Sequence, residues 1–372
     1  MILMSAPFPR GKGGRGALEL KCEFSGGHVG LLSWEGQSMK VSFVSWFKFA
    51  SRSESIARAF YGKSVYFGSP NRFRMILNPF LYAIKSVRTM RFLISERPDV
   101  AFAMNPPTFV ALNVYFYSVL RGIPFVIDSH SAAFDSKKWR WLAPLHRFLA
   151  RRAAFSLVTA GQWETLLSSW GAKCIVLDDP PMRLEGFNTK VNLKERFNFS
   201  DSLNICFVST FGADEPLDKV LGAGRELSDV RFFITGSLKR APSDLQKGVS
   251  ANVNFTDYLE NDVYYSLLSS VDVIMVLTDR EDTMQNGGME AIAVGKPLIT
   301  SNTAFLRSTF SKGTVHVENT VQGIVSGIQK IRGRLAEYTE GIKILKEERE
   351  LLWEEKKKEI AQMCQKNGRF SR

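Results

Sequence analysis

Asp282 and Glu290 lie eight residues apart and bracket a glycine pair, Gly287 and Gly288, that leads into the short apolar run Met289–Val294. Paired glycines let a backbone approach a ligand closely. The unpaired amides at the start of the helix that follows suit a phosphate. Glu290, expected in the first turn, would repel that phosphate unless it points elsewhere, and ribose hydroxyls are an obvious partner. The spacing reads as a nucleotide diphosphate pocket, with Asp282 on the far side where a sugar would lie. The same residues also suit a plain βα loop whose glutamate is favoured by the helix dipole. Spacing alone leaves both readings open.

These residues need a scaffold. Short apolar runs alternate with helix-like stretches, which predicts βα units and parallel sheets. In the first half, strands are expected at Val41–Val44, Val65–Phe67, Val100–Met104, Phe125–Asp128, Ser156–Thr159 and Cys174–Leu177. Helices are expected near Glu54–Tyr61, Met75–Ser95, Thr108–Leu120, Trp139–Ala153 and Gln162–Trp170. The second half restarts with strands at Leu203–Ser209, Arg231–Thr235, Val253–Phe255, Val273–Leu277 and Pro297–Ser301, and helices at Pro216–Leu227, Asn261–Ser270 and Met289–Val294. The expected fold class is α/β: two doubly wound, Rossmann-like domains facing across a cleft, with a C-terminal helical tail. Residues 1–38 read as a disordered extension, 39–182 as the first domain, 183–201 as a linker, 202–333 as the second domain and 334–372 as a charged helix. Ligands of open α/β sheets bind beyond the carboxyl ends of the strands. The polar clusters Ser45–Arg52, Asn105–Pro107, Ser129–Asp135, Thr210–Glu215, Gly236, Asp257–Tyr258 and Thr278–Gly288 fall there.

The net charge of +12 is unevenly spread: residues 40–182 carry 19 basic and 8 acidic side chains, residues 183–330 carry 15 and 18. That asymmetry implies a surface facing something anionic, membrane or nucleic acid. The cysteines Cys22, Cys174, Cys206 and Cys364 have neither disulfide-framework nor zinc spacing, which suits a reducing cytoplasm. The histidines His28, His130, His146 and His316 form no metal-binding pattern. No segment reaches the roughly 20 apolar residues that span a bilayer, and no signal peptide is evident at the N-terminus.

The stretch from Leu203 to Ile331 resembles the C-terminal domain of GT-B glycosyltransferases, specifically the large retaining family 4 type, the group 1 glycosyl transferases. That family carries Glu-x7-Glu followed by Ala-Met-Ala-x-Gly-x-Pro-Val-Val. Here the acids are Asp282 and Glu290, followed by Ala291–Ile299. Val253–Tyr258 and Tyr264–Thr278 look like the family's base-binding loop and the strand after it. The N-terminal half resembles the family in architecture, with Asp128–His130 where an active-site histidine is often placed.

The resemblance implies a role for each matching residue. Glu290 would hold the donor ribose. The amides of Gly287 and Gly288, with Gln285 and Asn286 beside them, would meet the diphosphate. Asp282 would contact the transferred sugar, and the backbone around Tyr258 would bracket the base. Thr210, Gly236 and Lys219 would line the donor side. His130 would line the acceptor side near the reacting carbon, with Asp128 or Asp135 as alternative bases. No metal and no cofactor is implied, only a UDP- or GDP-linked nucleotide sugar as co-substrate. The family's usual phosphate-binding Arg and Lys are missing from the loop Ser209–Pro216, which leaves Arg52, Lys219, Lys239 and Arg280 as candidates. Asp214 and Glu215 in that loop would repel a diphosphate or else cap the next helix.

Two basic, aromatic stretches, Arg72–Arg91 and Lys137–Arg152, suit an anionic lipid surface. Arg52, Arg72, Arg74, Trp139 and Trp141 are therefore expected on the acceptor or membrane side. The reading is a glycosyltransferase acting on a glycan or lipid-linked acceptor at the inner face of the cell membrane, with no nucleic-acid partner. The alternatives are a nucleotide-sugar 2-epimerase and a non-catalytic basic protein that binds membrane or nucleic acid.

Overall fold

The computed structural model describes residues 32–34, 37–48, 50–68, 79–193, 196–199, 201–241, 249–281 and 283–367. Asp282, Arg72 and Arg74 lie outside the described residues. The chain divides into two compact units: an N-terminal unit of residues 1–180 with 354–372, and a C-terminal unit of residues 181–353.

An antiparallel ribbon, β1 (Leu32–Trp34) and β2 (Gln37–Met39), comes first. It overlaps the stretch expected to be disordered, residues 1–38, and ends on Met39, the expected start of the first domain. Pairing of Leu32 with Met39 gives these backbone groups partners that composition did not announce.

The N-terminal unit continues with β3 (Val41–Ser45), α1 (Ser51–Ala59), β4 (Lys63–Tyr66), α2 (Pro79–Glu96), β5 (Val100–Asn105), α3 (Thr108–Arg121), β6 (Phe125–Ser129), α4 (Ala143–Ala150), β7 (Phe155–Val158), α5 (Gly161–Ser169) and β8 (Cys174–Val176). Its six strands are all parallel, in the order β4-β3-β5-β6-β7-β8. Strands β3, β5 and β6 are buried along their whole length. Sheets covered on both faces select such continuous apolar runs. Right-handed crossovers put α2, α3 and α4 on one face of the sheet, and α3 packs against both of its neighbours. Val110, Val114 and Tyr117 form the inner side of α3, with Ala103 and Ile127 of the sheet in the same core. Gly122, at φ 67°, ends that helix in the left-handed conformation.

The C-terminal unit contains β9 (Asn204–Phe207), α6 (Leu217–Glu226), β10 (Arg231–Thr235), β11 (Val253–Asp257), α7 (Asn261–Ser270), β12 (Val273–Val276), α8 (Asn286–Val294), β13 (Leu298–Ser301), α9 (Ala304–Thr309), β14 (Thr314–Val317), α10 (Val321–Gly333) and α11 (Leu335–Asn367). Its six strands are also parallel, in the order β11-β10-β9-β12-β13-β14. Alternation along β9 divides the core. Ile205 and Phe207 face Val220 of α6 and Ile328 of α10, while Cys206 faces Leu268 of α7 and Ile292 of α8. The stretch expected as a linker packs into that second layer: Leu193 and Phe197 are buried with Phe233. Ser266 fastens it, accepting from the Val191 amide and donating to the Asn188 carbonyl, both at 3.0 Å. The helical tail begins in this unit, where Ile342 and Leu345 are buried, and from Glu354 it belongs to the N-terminal unit.

Candidate functional site

Each sheet reverses its winding between two neighbouring strands, and such a point is where open α/β sheets bind ligands. In the C-terminal unit the reversal lies between β9 and β12, in the N-terminal unit between β3 and β5.

Beyond β9, Glu215 folds back onto its own loop. The Ser209 and Thr210 hydroxyls donate to its carboxylate at 2.6 and 2.8 Å, and the Thr210 amide at 2.9 Å. Asp214 reaches over to the loop after β12. It accepts from Thr278 Oγ1 at 2.9 Å, and Arg280 Nη2 lies 3.4 Å from its other oxygen. The Thr278 amide donates to Ser301 Oγ at 2.9 Å, and Asn319 Nδ2 donates to Thr278 O and Asp279 at 2.9 and 2.7 Å. The two acids are thus committed to tying the strand ends together. They do not cap α6, whose N-cap is Pro216 with no side-chain bond. Arg280 offsets the charge of Asp214, and Glu215 is turned onto the neutral donors of its own loop.

α8 starts at Asn286, which places Gly287 and Gly288 inside its first turn and not ahead of it. A Cβ on Gly287 would lie 2.8 Å from Val276 and 3.0 Å from Val208; one on Gly288 would lie 2.5 Å from the Phe310 ring. Glycine is needed at both positions so that the helix can begin pressed onto the ends of β9 and β12. The Gly288 amide donates to Gln285 O at 3.0 Å. Among the described residues the amides of Asn286 and Gly287 meet no acceptor, and these are what the helix start offers an anion. Glu290 follows one turn later and is half-buried. Tyr264 of α7 donates its hydroxyl to Glu290 Oε2. Burial raises the Glu290 pKa, and the Tyr264 bond opposes that rise. Glu290 Oε1 accepts from no other described group.

Gly236 ends β10 at φ 118°, and a Cβ there would stand 2.6 Å from Ser209 O and 2.9 Å from the Phe211 ring. Phe211 and Asp257 hold left-handed backbone angles, φ 57° and 59°, which non-glycine residues seldom adopt. Strain of this kind clusters at functional sites. The Leu238 amide donates to Asp257 Oδ1 at 2.9 Å, and that bond, then one from Tyr258, lowers the Asp257 pKa. Tyr258 is 47% exposed. Lys219 pairs with its neighbour Asp218 at 2.8 Å, and Lys239 lies in the short turn after β10. Thr210, Lys219, Gly236, Tyr258, Gln285, Asn286, Gly287, Gly288 and Glu290 all sit at the carboxyl end of this sheet.

In the N-terminal unit, Asp128 is wholly buried at the end of β6. Arg52 Nε donates to its Oδ1 at 3.1 Å, and His130 Nε2 lies 3.2 Å from Oδ2. Burial pushes the Asp128 pKa up, but Arg52 and then His130 overcome it and hold the carboxyl at about 2. An ionised carboxylate only accepts, so His130 Nε2 carries the proton of this bond and Nδ1 faces away from Asp128. Arg52 is expected on an acceptor or membrane surface or against the phosphates. It is instead buried, with Nη1 on Asp179 at 2.8 Å and Nη2 on Leu177 O at 2.9 Å. Each of its three nitrogens donates to a group of this unit. Trp139 is buried with Lys138 over its ring at 4.7 Å, while Trp141 is 63% exposed. Only the second tryptophan can meet a membrane.

Three supporting residues escaped the sequence reading. Asp179 lies in the Asp178–Pro181 break that looked like a domain end. Tyr264 sits in the matched motif without an assigned task. His146 has Nε2 3.0 Å from Ser129 Oγ, and burial among Phe134 and Trp170 lowers its pKa to about 4, so it stays neutral.

A family model described as glycosyl transferases group 1 matches residues 204–334, and one described as a glycosyl transferase 4-like domain matches residues 65–176. No curated protein matches the chain in sequence. Among solved structures, sucrose-phosphate synthase from Thermosynechococcus elongatus is similar at 12% identity and a TM-score of 0.61, covering 88% of this chain and 98% of that one. A glycosyltransferase from Rickettsia africae is similar at 12% identity and a TM-score of 0.65, covering 88% and 99%. Anabaena HepE, solved in complex with UDP and glucose, is similar at 12% identity and a TM-score of 0.61, covering 87% and 100%.

Proposed function

Since the chain belongs to the group 1 glycosyltransferases and has the GT-B fold, we propose that it transfers a sugar from a UDP- or GDP-linked donor to a glycan or lipid-linked acceptor, with retention at the anomeric carbon and at an anionic membrane surface. The observation that carries the donor half is the start of α8 pressed onto the winding reversal between β9 and β12, with the amides of Asn286 and Gly287 there, which meet no acceptor among the described residues, and Glu290 one turn on. Those amides would meet the diphosphate, where charge grows as the sugar departs. Glu290 Oε1 would accept from the ribose, while Tyr264 fixes Oε2. UDP complexes of the structurally similar HepE support a nucleotide donor. Asp282 would contact the transferred sugar. The transition state is oxocarbenium-like, as in glycoside hydrolysis, and the leaving phosphate assists a same-face route. In the N-terminal unit, His130 Nδ1 would take the acceptor's hydroxyl proton, with Asp128 holding the opposite nitrogen. The scheme calls for no metal or cofactor.

UDP- and GDP-sugars should be screened for thermal stabilisation of the wild type and of Glu290→Ala. A matching donor at a hundredfold excess over its Kd stabilises by about 2.7 kcal/mol. Glu290→Ala should weaken that donor by about tenfold to a hundredfold, the loss of hydrogen bonds to a charged group. Indifference of the wild type to every nucleotide sugar defeats the reading. NMR of the product decides the anomeric configuration, and C2-inverted donor formed without acceptor would turn the assignment to an epimerase.

A further inference from the structure

The outward side of α2, α3 and α4 is apolar where water would favour polar groups. Val87 and Ile94 on α2 are 58% and 53% exposed; Phe116, Val119 and Leu120 on α3 are 57%, 64% and 71% exposed; Phe148 on α4 is 40% exposed. Within each helix the spacing puts them on one stripe. The stripes adjoin. Asn113 Nδ2 of α3 donates to Ser86 Oγ of α2 at 3.1 Å, and Tyr115 of α3 meets Phe148 of α4 edge-on at 5.9 Å. A contiguous exposed apolar patch marks an interaction surface.

Charge selects the occupant. Arg88, Arg91, Arg121, Arg147, Arg151 and Arg152 are exposed on or beside these helices. Arg152 lies over the Phe148 ring, 3.6 Å from its centre. The three helices contain a single acid, Glu96, and it is committed to Lys40 and Lys63. We infer that this face docks on an anionic lipid bilayer. The apolar side chains enter the acyl boundary and the guanidinium groups meet headgroup phosphates. A second copy of the chain would set arginine against arginine. A nucleic acid would use the arginines and leave Val87, Ile94, Val119 and Leu120 in water. No helix among the described residues is long and apolar enough to cross the bilayer. The docking face gives a place to the membrane surface named in the proposed function and rests on that reading. Helices of βα units run back along their strands, so Phe116–Leu120 and Phe148 lie toward the strands' amino ends, away from Asp128 and His130.

That separation makes the test clean. The full chain is floated with vesicles of phosphatidylcholine alone and with vesicles rich in phosphatidylglycerol. Wild type should float with the anionic vesicles. Val119→Asp/Leu120→Asp and Arg88→Glu/Arg91→Glu should each lower the bound fraction about tenfold, with unchanged melting temperature and unchanged stabilisation by nucleotide sugars. Absence of flotation, flotation of both variants equal to that of the wild type, or retention on nucleic acid without flotation overturns the inference. Flotation as expected with no response to any nucleotide sugar upholds docking and defeats the proposed function. The converse result defeats docking and the membrane surface in the proposed function, and leaves the sugar transfer standing.

Discussion

Arg52→Ala should lower folding stability by about 3–5 kcal/mol, because it strands a buried carboxylate without its counter-charge. In the native protein, Asp128 has a pKa of about 2, against an ordinary value of about 3.9. A depressed carboxyl pKa stabilises the fold above the unfolded value. That contribution, about 2–3 kcal/mol, is lost as pH falls from about 4 to about 2. Without Arg52, burial is opposed only by His130, and the Asp128 pKa rises. Ionised Asp128 then works against folding at neutral pH, and protonation relieves it. The stability gap between wild type and Arg52→Ala should therefore be widest near neutrality and shrink on acidification. Urea unfolding across pH checks this. Replacing both partners, Arg52→Met with Asp128→Asn, should recover much of the loss, since a buried pair swapped for neutral groups is often nearly harmless. A single-variant cost under about 1 kcal/mol would mean that the pair behaves as a solvated one.

Gly236→Ala should cost about 2–4 kcal/mol, combining a disfavoured backbone angle with an overpacked contact. The added methyl would stand 2.6 Å from a backbone oxygen, Ser209 O, which cannot swing aside as a side-chain tip can. Relief requires moving the Ser209–Glu215 loop, and Glu215 is bonded to both Ser209 and Thr210. Donor stabilisation should therefore fall along with stability. A variant that melts lower yet keeps full nucleotide-sugar stabilisation would detach this loop from the donor site.

Most of the parallel architecture was legible because buried parallel strands are short apolar runs between turn signals. Phe125–Asp128 and Arg231–Thr235 are expected within one residue of β6 and β10. β14 was missed: Thr314–Val317 alternates half-buried and buried residues at a sheet edge, a weaker signal than a continuous run. The stretch 183–201 looked like a linker because it is largely polar, yet Leu193 and Phe197 within it are taken up by the second core layer. At the site, the residue types were legible and their contacts were not. Gly287 and Gly288 stood out correctly, but the reason for glycine there is the closeness of Val208, Val276 and Phe310, which no local pattern encodes. Arg52 and Asp128 are 76 residues apart. A long-range ion pair leaves no trace in spacing, so a buried arginine looked like a surface one.

Residues 354–372 complete the same unit that begins the chain, while residues 181–353 form the other by themselves. During synthesis the second-encoded body has all its parts before the first one does. The N-terminal body must wait, incomplete, until the last turns of α11 leave the ribosome. A nascent chain halted before Glu354 should carry one finished body and one that is still proteolytically vulnerable.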